Sequence, residues 1–291
     1  MFKFGFGVVQ SFFKLLNFKP DVVFIKGGYV GLPVGLATAK FFKNIPIVLH
    51  DSDAHPGLTN RLLSRYAIKI GVGMPLKFSE YDKSKTEFVG VPISRCYFEP
   101  DQKDDNKLGM PLIFAIGGSQ GSRTINEQIA KIAPKFDGKA NFLLVAGEEN
   151  YANALKATEF VNNIKVVSFI PEEEKICEYI KKSKVIITRA GATIMAAISA
   201  TKAVSIIIPS PYLASDHQTK NAEMFEKSES AYVVYEKNSE SDELIEKIDK
   251  LLNDKKLCDK FRKNVAKFSK PNAAERMAEI IIGVGNGEET K

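Results

Sequence analysis

The sequence predicts two doubly wound, Rossmann-like α/β domains joined by a polar linker, the first of them incomplete. Three observations carry that expectation. The chain has 291 residues, about twice the ~150 of a typical domain. Short apolar runs alternate with helical patterns almost throughout, as in parallel sheets covered on both faces. Glycine-rich turns stand directly after several of those runs. Hydrophobic residues at 44% and charged residues at 26% give an ordinary globular balance, not a disordered one.

Residues 1–20 hold Phe2, Phe4, Phe6, Phe12, Phe13, Phe18, Leu15 and Leu16 with Lys3, Lys14 and Lys19, and no acid. Gly5 and Gly7 interrupt the apolar run and no small-residue cleavage site follows, which argues against a signal peptide. Two readings remain: a core helix left partly uncovered, or an interfacial patch. In the second, Phe and Leu enter the acyl boundary while lysines meet anionic head groups.

Residues 21–26 read as a buried strand ending at Gly27-Gly28, followed by a helix with Pro33 near its first turn that runs to about Lys43. A strand at 45–50, a polar loop, a helix at 58–66 and strands at 68–72 and 87–90 complete a first domain over 1–98. A doubly wound domain ordinarily opens on a strand and a ligand-binding turn. Here the first strand follows the Phe-rich stretch, so this domain reads as incomplete. Residues 99–110 are polar without an apolar period and read as the linker. The second domain, 111–270, has predicted strands at 112–116, 142–146, 165–169, 185–188, 204–208 and 231–235. Residues 271–291 predict a C-terminal helix to about 282 and a frayed tail from 283.

The net charge is +6, and residues 1–80 account for all of it, with ten Lys/Arg against four acids. Such a basic front end suits an anionic surface. It lacks the dense Arg and aromatic interleaving of a nucleic-acid surface, so no nucleic-acid partner is expected. Cys96, Cys177 and Cys258 are odd in number and far apart, which excludes a disulfide framework and suits a reducing compartment. No run approaches the ~18 apolar residues of a membrane span.

The sharpest motif is 112–126, where a strand ends in Gly117-Gly118-Ser119-Gln120-Gly121 and a helix begins at once. Helix N-termini present unpaired N–H groups and partial positive charge, and so hold phosphate. The spacing is neither G-x-G-x-x-G nor a P-loop, so neither nicotinamide nor ATP is expected as a cofactor. A second turn runs from Thr188-Arg189 through Gly191-Ala192-Thr193-Ile194. A third element, Asp216-His217-Gln218-Thr219-Lys220-Asn221, opens a helix in which Asp216 serves as N-cap or as ligand. Three such turns at the carboxyl ends of parallel strands suggest a nucleotide diphosphate. His50-Asp51-Ser52-Asp53-Ala54-His55 fits no standard metal pattern and reads as a solvated loop with one proton-transferring member. No nucleophile elbow is present.

These segments resemble the MurG family, the lipid-linked peptidoglycan N-acetylglucosaminyltransferases of the GT-B fold. Lys19-Pro20-Asp21 and Gly27-Gly28-Tyr29 look like one family segment, and His50…Gly57-Leu58-Thr59-Asn60 like another. Gly117…Asn126, Phe169-Ile170, Arg189…Ala192 and Asp216…Asn221 follow in the family's order. The resemblance implies inverting transfer of GlcNAc from UDP-GlcNAc to the muramyl 4-hydroxyl of lipid I, forming lipid II in cell-wall synthesis. It implies no cofactor and a peripheral place on the cytoplasmic face of the cell membrane. It also assigns Ser119, Gln120 and Asn126 to the sugar-nucleotide and catalytic cleft, and the backbone near Ile170 to uracil. Gly191, Ala192, Thr193 and Ile194 would meet the diphosphate, and Gln218, beside Asp216, His217 and Asn221, the GlcNAc hydroxyls. Tyr29, His50 and Asp53 match acceptor-side positions, with His50 and Asp51 the candidates for assisting deprotonation.

Several positions depart from the family pattern. Ala197 stands where the family's ribose-binding glutamate falls, Asp53 where it has Asn, Ser94 where it has Arg and Ile194 where it has Thr. Losing a charged acceptor at 197 costs about 1.5–3 kcal/mol in donor affinity, and restoring Glu there is expected to tighten binding. Two alternatives follow: a sugar-nucleotide-binding subunit without catalysis, or a related glycosyltransferase with another lipid acceptor such as a diacylglycerol.

Overall fold

Two units are present in a computed structural model that describes residues 2–100, 109–118, 120–212, 216–236 and 241–288. Unit 1 comprises 1–92 together with 272–291, and unit 2 comprises 93–271. Of the predicted linker, 101–108 lie outside the described residues.

The Phe-rich opening forms one helix, α1 (Phe2–Phe18), followed by β1 (Val23–Ile25), α2 (Gly31–Phe41), β2 (Ile47–Asp51), α3 (Leu58–Leu63), β3 (Ala67–Val72) and β4 (Thr86–Phe88). The four strands pair in parallel in the order β1-β2-β3-β4, with Val23 opposite Ile47, Leu49 opposite Ile70 and Ile70 opposite Thr86. β2 is buried at every position, which explains its nearly continuous apolar run. It begins at Ile47 rather than 45, because Pro46 has no N–H for a ladder and offers only its carbonyl, to Val23 N at 2.9 Å.

One side of this sheet carries Val23, Ile25, Leu49 and Ile70 packed with Leu15, Ala37 and Leu63. The other carries Val48 and Val89 against Met277, Ile280 and Val284 of the C-terminal helix. That helix, Ala273–Gly285, runs past the expected end, with Gly283 and Val284 buried; the frayed tail predicted from 283 is corrected by this packing. A bidentate fork from Arg276 to Glu87, at 2.6 and 2.9 Å, joins it to β4. The predicted boundary at 98 also moves. Residues 93–98 belong to unit 2, where the turn Arg95–Tyr97 packs on two of its helices and Tyr97 is buried.

Unit 2 contains β5 (Leu112–Ile116), α4 (Arg123–Ile132), β6 (Asn141–Val145), α5 (Tyr151–Ala157), β7 (Ile164–Val167), α6 (Glu173–Lys182) and β8 (Val185–Thr188). It continues with α7 (Ala192–Thr201), β9 (Ser205–Ile207), α8 (His217–Lys227), β10 (Tyr232–Val233), α9 (Ser241–Asn253) and α10 (Lys255–Val265); the C-terminal helix of unit 1 is α11. The strands are parallel in the order β10-β9-β8-β5-β6-β7. Numbered within the unit this is the 3-2-1-4-5-6 order of a dinucleotide-type sheet. Its strand order reverses between β5 and β8, so a crevice opens beyond their carboxyl ends. Ile113, Ile125, Phe142, Ile187 and Ile206 fill the core behind that crevice.

Candidate functional site

The β5–α4 turn is shaped by glycine at positions where nothing else fits. Gly121 has φ +74° and lies so close to the β6 end that a Cβ would fall 2.1 Å from the Ala146 carbonyl oxygen. Gly117 is as confined, since its Cβ would meet Ser122 N at 2.4 Å. The sharp turn delivers Ser122 as the N-cap of α4, its hydroxyl accepting from Ile125 N at 3.3 Å. Asn126 is buried and donates to the Ala146 carbonyl at 2.9 Å, while its Oδ1 has no protein hydrogen-bond partner. Asn126 therefore braces the turn. Gln120 is exposed at its tip, and Ser119 lies outside the described residues.

Across the switch point, β8 leads into α7 through Arg189, Ala190 and Gly191. Gly191 is the N-cap, with no side chain capping the first turn, and Gly191, Ala192, Thr193 and Ile194 all retain solvent exposure. The unpaired N–H groups and partial positive charge of this helix end form an anion seat. Arg189 secures it from behind. Its guanidinium donates to Ser122 Oγ at 2.7 Å and to the Ile208 carbonyl at 3.0 Å, and pairs with Glu236 at 2.5 Å. One largely covered cation thus ties together the ends of β5, β8, β9 and β10.

α8 is braced in the same way. Asn221 is fully buried and donates to the Ala190 carbonyl at 3.0 Å, and the Gln218 side chain accepts from Ser210 N at 2.9 Å. Asp216 stands at the N-cap of α8, as the sequence allows, with a left-handed φ of +52° and no side-chain capping hydrogen bond. His217 opens the helix. Ile170 is buried in the segment that follows β7.

Ala197 is only 1% exposed within α7. A glutamate at 197 would therefore start from a buried point of α7 and reach a ribose only by extending out of it. Ser94 caps the Arg95–Tyr97 turn, accepting from Cys96 N at 3.4 Å.

In unit 1, Gly27 and Gly28 carry φ of +95° and +76° and turn the chain from β1 toward α2, leaving Tyr29 87% exposed. Thr59 Oγ1 donates to the Gly28 carbonyl at 2.8 Å, and Asn60 Nδ2 to the His50 carbonyl at 3.0 Å. The expected solvated loop at 50–55 opens instead on two buried residues. His50 is 1% exposed and bonds the Gly90 carbonyl through Nε2 at 2.9 Å, so Nε2 carries the proton and Nδ1 is left buried and bare. Burial, then the Lys26 charge, lowers its pKa and keeps the ring neutral. The Asp51 carboxylate accepts from Tyr81 Oη at 2.7 Å and Gly57 N at 3.1 Å. Burial, then the Asp51 charge, keeps the Tyr81 phenol protonated as donor. Asp53 is half-buried, and His55 meets Glu80 at 2.9 Å. The loop's polar side chains therefore serve different partners. His50 and Asp51 hold its base.

Arg189 appears in the sequence only as part of a motif, and Glu236 carries no local signal at all; only the parallel order of β8, β9 and β10 brings them together.

The family model "Glycosyltransferase family 28 C-terminal domain" matches residues 112–277, and "Glycosyltransferase family 28 N-terminal domain" matches 1–72. The chain is 33% identical to a UDP-N-acetylglucosamine–N-acetylmuramyl-(pentapeptide) pyrophosphoryl-undecaprenol N-acetylglucosamine transferase of Caldicellulosiruptor saccharolyticus. That match covers 96% of this chain and 77% of that enzyme. It is 35% identical to a Thermoanaerobacter enzyme of the same name, over 93% and 76%. In fold it is similar to the crystal structure of Acinetobacter baumannii MurG, with a TM-score of 0.81 at 23% identity over 97% of this chain and 80% of that one.

Proposed function

Because the chain belongs to glycosyltransferase family 28, we propose that it transfers N-acetylglucosamine from UDP-N-acetylglucosamine to the muramyl 4-hydroxyl of lipid I, making lipid II. The observation that carries the donor half is the switch point of unit 2, where the uncapped α7 N-terminus faces the crevice. Residues Gly191–Ile194 receive the diphosphate there, with uracil toward Ile170 and the sugar toward Gln120, Gln218 and the start of α8.

The acceptor hydroxyl attacks the anomeric carbon as the bond to the UDP oxygen breaks, which inverts that centre, and the hydroxyl proton passes to solvent water. Negative charge then grows on the leaving diphosphate. The α7 amides and the field of α4 stabilise it without reorganising, since Arg189 and Asn221 have already fixed both turns. Unit 1 takes the acceptor at the carboxyl end of β1, beside Tyr29. His50 and Asp51 shape this acceptor end rather than accept the proton, because both are buried and Asp51 already accepts from Tyr81 and Gly57.

Among the described residues no helix is long and apolar enough to cross a membrane. A peripheral membrane role rests on α1, whose Phe6, Val9, Phe13 and Leu16 recur at helical spacing and are all exposed.

The test is calorimetric titration of the full chain with UDP and UDP-GlcNAc, beside transfer of labelled GlcNAc to a short-chain lipid I analogue. Uridine-nucleotide binding with transfer supports the reading. Binding without transfer to this or any lipid acceptor supports a sugar-nucleotide-binding subunit. No binding at millimolar nucleotide ends the donor assignment.

A further inference from the structure

Residues 52–57, the loop between β2 and α3, are strapped down by a segment remote from them in sequence, Ser79-Glu80-Tyr81. Tyr81 is 9% exposed, and its ring belongs to the core cluster of Leu49, Leu63 and Ile70. Its Oη donates to Asp51 Oδ2 at 2.7 Å. The same carboxylate oxygen accepts from Gly57 N at 3.1 Å, so one atom closes the loop and fastens it to Tyr81. Glu80 adds an exposed attachment, meeting His55 within the loop at 2.9 Å. Gly73, just after β3, sets the near end of the loop. Its N–H donates to the Asp51 carbonyl at 2.7 Å, and a Cβ there would fall 2.5 Å from the Ser52 carbonyl oxygen.

The fastening continues beyond the loop. Gly57 is the N-cap of α3 and offers no side chain to the helix, so its bond to Asp51 helps to fix where α3 begins. Two residues further on, Thr59 Oγ1 donates to the Gly28 carbonyl at 2.8 Å. Gly28 holds a left-handed φ of +76° beside the exposed Tyr29. Three hydrogen bonds thus run from Tyr81 to the turn that presents Tyr29. The first of them is charge-assisted and stronger than a bond between neutral groups.

We propose that Tyr81 is a positioning residue for the acceptor: acting through Asp51, it keeps the 52–57 loop and the Gly28-Tyr29 turn in their binding arrangement before the acceptor arrives. The inference rests on the acceptor reading given above and deepens it. A loop that is already ordered needs no ordering when the acceptor binds. A loop ordered only part of the time weakens the apparent affinity by that fraction. The loss therefore falls on acceptor binding, not on the donor or the chemical step.

The test is Tyr81→Phe in the full chain, which removes the hydroxyl and keeps the ring. The dissociation constant and KM of a short-chain lipid I analogue should rise about tenfold, as expected for losing one hydrogen bond to a charged group. The kcat at saturating acceptor and the affinity for UDP should stay within about twofold of native. Thr38→Val is the control. Thr38 is also fully buried in unit 1, and its hydroxyl donates to the Val34 carbonyl at 2.9 Å inside α2, away from the strap. Both variants should lower the melting temperature, but Thr38→Val should keep native acceptor affinity. Amide hydrogen exchange over residues 28–31 should quicken in Tyr81→Phe alone. Acceptor affinity unchanged by Tyr81→Phe overturns the proposal. So does an equal loss in Thr38→Val, or a loss shared by UDP, since either marks general destabilisation. A fall in kcat with unchanged acceptor KM overturns it as well. If the native chain does not bind the analogue, the acceptor reading fails and takes this inference with it; native binding that Tyr81→Phe leaves intact defeats this inference alone.

Discussion

Arg189 and Glu236 form a buried ion pair, at 2.5 Å, directly behind the helix end that faces the crevice of unit 2. Their side chains are 11% and 7% exposed. Such a pair gives little net stability, yet removing one partner strands the other charge. Glu236→Gln is expected to lower the melting temperature, because Arg189 then has neutral acceptors in place of its carboxylate partner. Arg189→Lys loses the planar fork that reaches Ser122, Ile208 and Glu236 together, and so loosens α4 relative to α7. Thermal melts should report the first effect. The second should appear as weaker UDP binding with a smaller loss of melting temperature.

The β5–α4 turn predicts a contrast between two glycines. Gly121→Ala places a Cβ 2.1 Å from a backbone oxygen, at a left-handed φ, and is expected to prevent unit 2 from folding normally. Gly28→Ala also faces a positive φ but meets nothing within 4 Å, so it costs only the ~1–3 kcal/mol of a strained backbone. Circular dichroism melts of the two variants separate steric from purely conformational cost. Equal losses would contradict the geometry.

The alternation of strands and helices was legible because β2, β5 and β8 are short apolar runs bounded by turn residues. The glycine turns were legible because few other residues tolerate their φ or spacing. What the sequence did not display were contacts made across the sheet. His50 looks like a base in a polar loop, yet its ring is captured by the Gly90 carbonyl, forty positions away. Asp216 stands at the N-cap of α8, yet its left-handed backbone leaves its side chain without a capping hydrogen bond. The tail beyond 282 looks polar and glycine-rich, yet Val284 completes a cluster with Val48 and Val89. For His50 and Val284 the partner that decides the role is remote in sequence.

His50 makes the stability of unit 1 depend on pH. Its folded pKa is lowered, chiefly by burial, so below its ordinary value near 6.5 the unfolded chain binds a proton that the folded chain does not. Stability is therefore complete above that value and falls as the pH drops below it. His50→Gln removes the titration, so its urea midpoint should vary less between pH 7 and pH 5.5 than that of the native chain. The same slope in both would place the titrating group elsewhere.

Ala197 bears on the donor pocket. A glutamate at this point of α7 starts from a position where Ala197 is 1% exposed, so its carboxylate loses hydration unless it extends out to solvent or a partner. Ala197→Glu should lower the melting temperature and leave UDP affinity unchanged or weaker. Tighter UDP binding with an unchanged melt would show that α7 shifts to present the new side chain to the ribose.

The exposed stripe of α1 supplies the membrane test. Phe6 and Phe13 are 68% and 58% exposed, so replacing both with Ser removes apolar surface at the cost of one edge-on contact, from Phe13 to Phe12 at 5.5 Å. Phe12 is a different case. Its ring stacks edge-on against Phe41 at 5.3 Å and lies 5.4 Å from Phe42, so Phe12→Ser breaks the α1–α2 contact and should lower the melting temperature instead. Co-sedimentation with anionic vesicles should fall at least tenfold for Phe6→Ser/Phe13→Ser. It should also fall for the native chain as salt rises, because each basic residue at the surface contributes only ~1 kcal/mol and is screened. Undiminished sedimentation of the double variant would mean that the exposed stripe of α1 does not face the lipid, and would leave the core-helix reading standing.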